Sequence, residues 1–547
     1  MWMARIDRGK DRDNGKEVDM WSAKLKVVLC LLAGVVCMVA GGTAKNVFVM
    51  SHTQEFGTID PARGTDYTES YAMLNIYDAL VFPSPTGEVL PHLAESWTIS
   101  NDGLAYTFQL REGVKFHDGT DLTAEDVVFS MKRMLALKDG YSWLWLGIVE
   151  DVTAADPYTV TFRLSKPYAP FLSTLVWFFV VSKDAILAHT QPGDYGEFGD
   201  YGTHWLATAT DEDAGSGPYK LRAWDRGREI VFERFPEYWG GWPHGSKHFD
   251  EVHSIYLPET ATVKTMLRTG ELTMVEHWRT YPDYQDMAKI PGVKVLCFLS
   301  PEELSFKINT KKPPTDDIHI RRMLAWAFDY QAVVDVLEPG SAQARGPIPV
   351  TIPGHNPRVF QYHMDLDKAR EELEQSKYYP NVPPIDLVLP SGLENRRKMA
   401  VRFKENLEKL GVTLNISIEP WGRMTDLATT VETTPNIMVT SVSSNYADPD
   451  SYFHCMYHSR AAGTWMSSEW LQSPLVDELI DKERTTVDPE ERELIMNILQ
   501  HTIVEYCPDI FVYVMPLRVA VQDYVKGFTY RPVMSFYYYF RDWWYEK

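Results

Sequence analysis

The segment 94–134 constrains the fold of this chain more than any other, and it contains no catalytic signature. It reads AESWTISNDGLAYTFQLREGVKFHDGTDLTAEDVVFSMKRM. Residues 105–110 alternate between polar and apolar side chains, which is the period of a half-buried strand. Thr123 lies three residues before Asp126, so a capping box should start a helix that continues through Met134. The segment therefore predicts a strand, a polar turn and a capped helix.

The same segment resembles the signature of the bacterial solute-binding proteins of the peptide and nickel class, called family 5. The matching parts are AESW, DGLAYTFQLREGVKFHDGT and LTAEDVVFS, and the resemblance extends from Asn46 to Lys547. Members of this family are extracytoplasmic receptors of ABC importers. The resemblance implies an α/β fold of the two-lobed periplasmic binding protein type, class II-like and often called a Venus flytrap, with an extra middle domain.

The resemblance also implies how the chain divides. Residues 45–77, 182–301 and 517–547 would form lobe I, residues 78–181 a middle domain that decorates lobe I, and residues 302–516 lobe II. The residues agree with an α/β lobe after Pro301, because helical and strand patterns then alternate. They include a strand at 304–308, a helical stretch at 318–337 and an amphipathic helix at 395–410 that stops at Gly411. We expect the ligand pocket between the lobes.

The amino terminus has the features of an export signal. An apolar run at 27–40 follows two lysines, and small residues allow cleavage after Ala44. The run is short for a membrane-spanning helix, which needs about 20 apolar residues, although an uncleaved anchor is an alternative. Translation could start at Met1 or at Met20. We expect residues 1–44 to be a Sec-type signal peptide with an extended amino terminus, and the protein to be periplasmic or extracytoplasmic.

Charge and motif content exclude several classes of function. The net charge of −21, with no run of Lys or Arg, argues against a nucleic-acid partner. The patterns of nucleophile elbows, zinc proteases, P-loops and dinucleotide sites do not occur. Three cysteines follow residue 44, namely Cys297, Cys455 and Cys507, so at most one disulfide can form within the mature chain. We predict a monomeric receptor that is not an enzyme and has no cofactor.

Candidate ligand contacts follow from the family resemblance and from an aromatic content of 17 Trp, 29 Tyr and 24 Phe. The resemblance assigns ligand contacts to a loop of lobe I, to a segment of the middle domain, and to loops that follow strands of both lobes. The predicted ligand-binding residues are Thr65, Asp66, Tyr67, Tyr141, Trp143, Trp145, Trp278, Trp421, Ser443, Asn445, Tyr446 and Asp448.

Asn445 is the most informative of these residues. The stretch SVSSNYADPDSYF resembles the family loop in which an aspartate, three residues before an Asp/Glu-Pro step, binds the free amino group of a peptide. Here Asp448 and Pro449 form the step, but Asn445 replaces the aspartate and Val442 replaces a usual tryptophan. A charge-assisted contact contributes roughly 1.5–3 kcal/mol, which a neutral amide cannot supply. Tyr446 or Asp448 could compensate.

The ligand class therefore stays open. A peptide or peptide-like solute is what the family implies, and an oligosaccharide, an opine or another polar solute is the alternative. A nickel chelate is a further possibility, since His454 and His458 are spaced to share a helix face. They lack a third placed ligand, so we expect no bound metal. We predict a receptor that delivers its solute to the permease and ATPase subunits of an ABC importer, with a chemosensory binding protein and a hydrolase as alternatives.

Overall fold

A computed structural model describes residues 45–546, so the predicted signal peptide lies outside the described residues. The strands are β1 Val47–His52, β2 Asp78–Ala79, β3 Val81–Pro83, β4 Val89–Pro91, β5 Ala94–Ile99, β6 Ala105–Leu110, β7 Val149–Asp156, β8 Thr159–Leu164, β9 Phe179–Val180, β10 Tyr219–Asp225, β11 Glu229–Arg234, β12 Glu251–Tyr256, β13 Met274–Val275, β14 Val293–Ile308, β15 Ala342–Gln343, β16 Ile385–Pro390, β17 Leu414–Glu419, β18 Ile437–Val442, β19 Asp509–Gln522, β20 Val525–Lys526 and β21 Trp544–Tyr545.

The α-helices are α1 Tyr67–Ile76, α2 Ala124–Leu137, α3 Phe171–Thr174, α4 Lys183–Ala188, α5 Thr203–Thr208, α6 Thr260–Thr269, α7 Tyr281–Met287, α8 Ile318–Ala327, α9 Tyr330–Ala332, α10 Leu366–Gln375, α11 Glu394–Lys409, α12 Trp421–Leu427, α13 Asp450–Tyr452, α14 Pro474–Thr485 and α15 Pro489–Tyr506. Within the described part of the chain, none of the helices has the length and apolarity needed to cross a bilayer.

The signature segment folds as its sequence predicts. The apolar side chains of β6 are buried and its polar ones are not, and β6 pairs with both β5 and β8. The Thr123 N–H donates to Asp126 Oδ2 at 2.9 Å, and α2 then runs to Leu137. These elements belong to a four-stranded antiparallel sheet of order β5-β6-β8-β7, which is separate from the main sheet. The two ends of residues 78–181 meet, because β2 pairs with β9.

The main sheet extends through both halves of the described chain. Its order is β10-β11-β12-β1-β13-β19-β14-β18-β16-β17, with β15 also paired to β19. The long strands β14 and β19 form its centre, and their register is irregular between Leu299 and Glu303. Two large cores use different parts of these central strands. One contains residues from 517–521 of β19 with Phe48 and Trp543, and the other contains residues from 510–513 of β19 with Phe306 and Phe403.

Two predictions of local structure were wrong in extent. The strand predicted at 304–308 is only the C-terminal part of β14, which passes through Pro301 at the register irregularity. The helical stretch predicted at 318–337 breaks after Ala327. Asp329 starts a new turn there, since its side chain accepts a hydrogen bond from the Ala332 N–H.

Candidate functional site

A chain of contacts joins three separate parts of the sequence. The Tyr141 hydroxyl donates to the carbonyl oxygen of Thr65 at 3.4 Å. The Tyr141 ring stacks on Trp177, with centroids 4.5 Å apart and an interplanar angle of 17°. The Trp177 Nε1–H donates to the carbonyl oxygen of Asn445. The loop before α1, the segment 78–181 and the loop after β18 therefore converge around these four residues.

The backbone of Asn445 is held by hydrogen bonds, whereas its side chain is not. Its N–H donates to Ser451 Oγ at 3.0 Å, and its carbonyl accepts from Trp177. The side chain is half-buried, and its amide makes no hydrogen bond within residues 45–546. A carboxamide in this position can donate and accept hydrogen bonds but carries no charge to pair with an ammonium. Ser443, also predicted, is half-buried in the same loop.

Thr65 and Asp66 lie exposed at the start of α1. Glu69 Oε2 accepts the N–H groups of Thr65 at 2.9 Å and of Asp66 at 3.0 Å. Together with Asp66 as N-cap, this forms a capping box that fixes the loop. The side chains of Thr65 and Asp66 remain exposed above a rigid turn.

An aromatic wall stands beside this loop. The buried Tyr67 ring contacts His277 at 4.8 Å, Tyr538 at 5.7 Å and Trp278 at 5.9 Å between centroids. Trp278 is 50% exposed. Burial lowers the pKa of His277 to about 3, so the imidazole is neutral at physiological pH. The neighbouring Glu276 is fully buried, and burial raises its pKa to about 7. Trp278 is thus a half-exposed aromatic side chain that packs against an uncharged histidine.

The other predicted tryptophans differ in position. Trp143 and Trp421 are exposed, at 44% and 45%, and Trp421 packs edge-on against Trp465. Trp145 is fully buried, and its Nε1–H donates to Thr174 Oγ1 at 3.0 Å. In this conformation Trp145 offers no surface to a ligand, and its position indicates a role in packing.

The side chains of Tyr446 and Asp448 make hydrogen bonds or ion pairs within the protein. The buried Tyr446 hydroxyl donates to Asp450 Oδ2 at 2.8 Å. Both carboxylate oxygens of Asp448 accept from Arg492, at 2.8 and 2.7 Å. Neither residue therefore replaces the charge that is missing at Asn445 in this conformation.

The histidine pair is not arranged as a metal centre. The rings of His454 and His458 are 5.7 Å apart, and Arg484 Nη1 lies 2.8 Å from His454 Nδ1. Burial and the nearby Arg484 lower the pKa of His454 to about 3. Across residues 45–546, no group of three potential metal ligands comes together. Cys297, Cys455 and Cys507 are all free thiols.

Trp177 is the central residue that the sequence did not identify. It lies in the apolar run 171–181, where a tryptophan has no feature that separates a site residue from a core residue. Its partner Asn445 is 268 residues away, so only the folded chain brings them together. Tyr168, near the start of the same run, was missed for the same reason.

Comparison with known proteins assigns the class. The model of the bacterial extracellular solute-binding proteins, family 5 Middle, matches residues 88–464. The chain belongs to this family, and the family consists of solute-binding receptors outside the cytoplasm. The predicted two-lobed α/β fold is confirmed, as is the predicted role as a receptor associated with an ABC transporter.

Two curated relatives from Escherichia coli cover nearly the whole chain. The probable D,D-dipeptide-binding periplasmic protein DdpA is 26% identical, covering 90% of this chain and 93% of the relative. The dipeptide-binding protein is 28% identical, covering 86% of this chain and 89% of the relative. Among solved structures, DppA from Helicobacter pylori in complex with the peptide STSA is 26% identical. It has a TM-score of 0.73 and covers 92% of this chain and 99% of that chain.

Proposed function

We propose that the protein captures a peptide or peptide-like solute between its two lobes and delivers it to the permease of an ABC importer. The observation that carries the proposal is the contact chain from Thr65 through Tyr141 and Trp177 to Asn445, which spans the three predicted domains. The printed names of the E. coli relatives and the peptide in the H. pylori structure support a peptide as the solute.

We propose the lobe boundaries predicted from sequence as the mechanical units. The pairing of β2 with β9 supports residues 78–181 as one unit. The irregular register between Leu299 and Glu303, opposite Pro516 and Val514 of β19, supports a hinge in the two long strands. Closure about this hinge would bring the 443–450 loop onto lobe I and the middle domain, and a solute that touches both sides would favour the closed state.

The ligand contacts in this proposal are the predicted residues with free side-chain surface. Thr65 and Asn445 belong to the contact chain itself, and Trp278 lies beside Tyr67. The other exposed or half-buried candidates are Asp66, Trp143, Trp421 and Ser443. Tyr67 and Tyr141 would support this group from beneath, since both are buried. The exposed aromatic faces suit apolar side chains or sugar rings, and Asn445 suits a neutral polar group.

A neutral polar solute is the second candidate, because Asn445 carries no charge and Asp448 is fully paired with Arg492. In either case the receptor performs no chemistry on its ligand. We further propose that it acts as a monomer after removal of a signal peptide at Ala44, and that ATP hydrolysis belongs to partner subunits.

Isothermal titration calorimetry on the purified mature chain tests the proposal. The panel consists of dialanine, trialanine, N-acetyl-trialanine, cellobiose and the nickel complex of histidine. Binding of trialanine supports the peptide assignment. Binding of N-acetyl-trialanine without trialanine supports a peptide-like solute that lacks an ammonium group. Binding of cellobiose alone supports the neutral polar solute. The absence of binding by every peptide would contradict the main proposal.

A further inference from the structure

Two aromatic residues of the middle segment, residues 78–181, hold the two ends of the 445–450 loop. Trp177 donates to the Asn445 carbonyl at the first end. At the other end, the Tyr168 hydroxyl lies 3.4 Å from Asp450 Oδ2 and 3.5 Å from the Tyr446 hydroxyl. Tyr168 and Trp177 flank helix α3, so one short stretch of the middle segment spans the whole loop.

The Asp450 end is a buried ion pair covered by Tyr168. Asp450 is fully buried, and Arg484 Nε lies 3.0 Å from its Oδ1. The guanidinium carbon of Arg484 is 5.1 Å from the centroid of the Tyr168 ring, a cation–π distance. The adjacent Ala169 N–H donates to the Arg484 carbonyl at 2.8 Å. Tyr168 and Ala169 therefore dock on both the side chain and the backbone of Arg484.

The remaining hydrogen bonds and ion pairs of the loop stay within residues 302–516, whereas the side chains of Tyr446 and Ala447 also pack in the core that contains Phe48 and Trp543. Asp448 is held by Arg492 on α15, and Asp450 is held by Tyr446 and by Arg484 on α14. These contacts would survive a separation of the lobes. The contacts of Tyr168 and Trp177 would be lost, because their partners belong to the other side of the proposed hinge.

We propose that Tyr168 is a positioning residue for solute capture, which fixes the Asn445 loop in its closed place by docking on the Asp450–Arg484 pair. This inference rests on the hinge closure proposed above. Tyr168 raises the population of the closed state. Because the apparent affinity of a ligand is proportional to the population of the state that binds it, losing Tyr168 would lower the apparent affinity.

The substitution Tyr168→Phe tests this role, because it removes the hydroxyl and keeps the ring. Tyr457→Phe is a matched control. The Tyr457 hydroxyl also donates to a buried aspartate, Asp509, at 2.8 Å, but both residues lie within 302–516. The control thus removes the same kind of hydrogen bond without touching the boundary between the lobes.

The measurement is the distribution of distances between nitroxide labels in the ligand-free protein. Exposed positions on the two sides carry the labels, as Asp102→Cys and Glu490→Cys. The exposed and half-buried thiols are removed as Cys297→Ser and Cys455→Ser. We expect Tyr168→Phe to lower the ratio of closed to open molecules by about 3- to 10-fold. We expect Tyr457→Phe to leave the ratio unchanged and to lower the melting temperature.

A double-mutant cycle identifies the partner. With Asp450→Asn already present, Tyr168→Phe should change the ratio by less than about 2-fold, since coupled residues are not additive. Distances in Tyr168→Phe that match those of the parent protein would overturn the inference. So would equal losses of melting temperature in the two Tyr→Phe variants without a change in distances, because that result assigns Tyr168 to packing alone. Failure of trialanine to bind the parent protein would count against the proposed function and not against these ligand-free distances.

Discussion

Glu276 provides a pH-dependent test of the packing behind the candidate site. It is fully buried one residue before His277 and two before Trp278. Burial raises the pKa of its carboxyl from 4.5 to about 7. The nearest cation is Arg279, whose Nη2 lies 3.8 Å from Glu276 Oε1; it lowers the pKa, as does Thr53, but neither offsets the effect of burial.

The sign of the effect follows from proton linkage. Between about pH 5 and pH 7 the native protein retains a proton on Glu276 that the unfolded chain has released. The stability from this carboxyl is therefore present at low pH and lost as the pH rises through about 7. The difference between 4.5 and about 7 corresponds to roughly 3 kcal/mol in total, of which roughly 2–3 kcal/mol is lost between pH 5 and 8.

The assay compares melting temperatures of Glu276→Gln and the parent protein at pH 5, 6, 7 and 8. Because both are neutral at this position at pH 5, we expect similar melting temperatures there. At pH 8 the glutamine variant should melt higher by roughly 2–5 °C, since a chain of this size changes by roughly 1–2 °C per kcal/mol. Glu271→Gln, an exposed site just before β13, is the control and should show no such trend. A difference that stays constant with pH, or that favours the parent protein at pH 8, would refute the reasoning.

Three further predictions concern the lobe II core and the site. Lys307→Met removes the buried ammonium that lies 3.3 Å from Glu469 Oε2. We expect the free energy of unfolding to fall by roughly 3–5 kcal/mol, which lowers the melting temperature at pH 7.5. An unchanged melting temperature would contradict this. In calorimetry, Asn445→Asp should increase the ratio of the affinity for trialanine to that for N-acetyl-trialanine by roughly 10- to 150-fold. Unchanged affinities for both peptides would show that the side chain does not face the ligand. Trp143→Ala should weaken solute binding with little effect on melting temperature. Tyr141→Ala should lower the free energy of unfolding by roughly 3–5 kcal/mol, seen as a lower melting temperature, because it leaves a cavity beside the buried ring of Trp177. The reverse pattern would exchange their roles.

The elements that the sequence predicted well are those specified by local patterns. β6 and α2 have clear alternation or capping residues, and their bounds match the prediction closely. β14 was predicted at less than half its length because a proline normally interrupts a central strand. The structure accommodates Pro301 by an irregular register, which no local pattern reveals.

The site was predicted only in part, because burial depends on the folded chain. Trp143 and Trp145 are two residues apart and equally aromatic, yet one is exposed and the other is fully buried. The importance of Trp177 arises from a hydrogen bond to a residue far along the chain. The family resemblance supplied the loop of Asn445, and the structure then added that its side chain is free and that Asp448 is paired.

The central claim is that a solute closes two hinged lobes around the Asn445 loop. Small-angle X-ray scattering of the mature protein, with and without saturating trialanine, tests it most directly. The account predicts a smaller radius of gyration with trialanine and no change with an equal concentration of free alanine. A radius of gyration that is the same in both solutions and in buffer alone would contradict it.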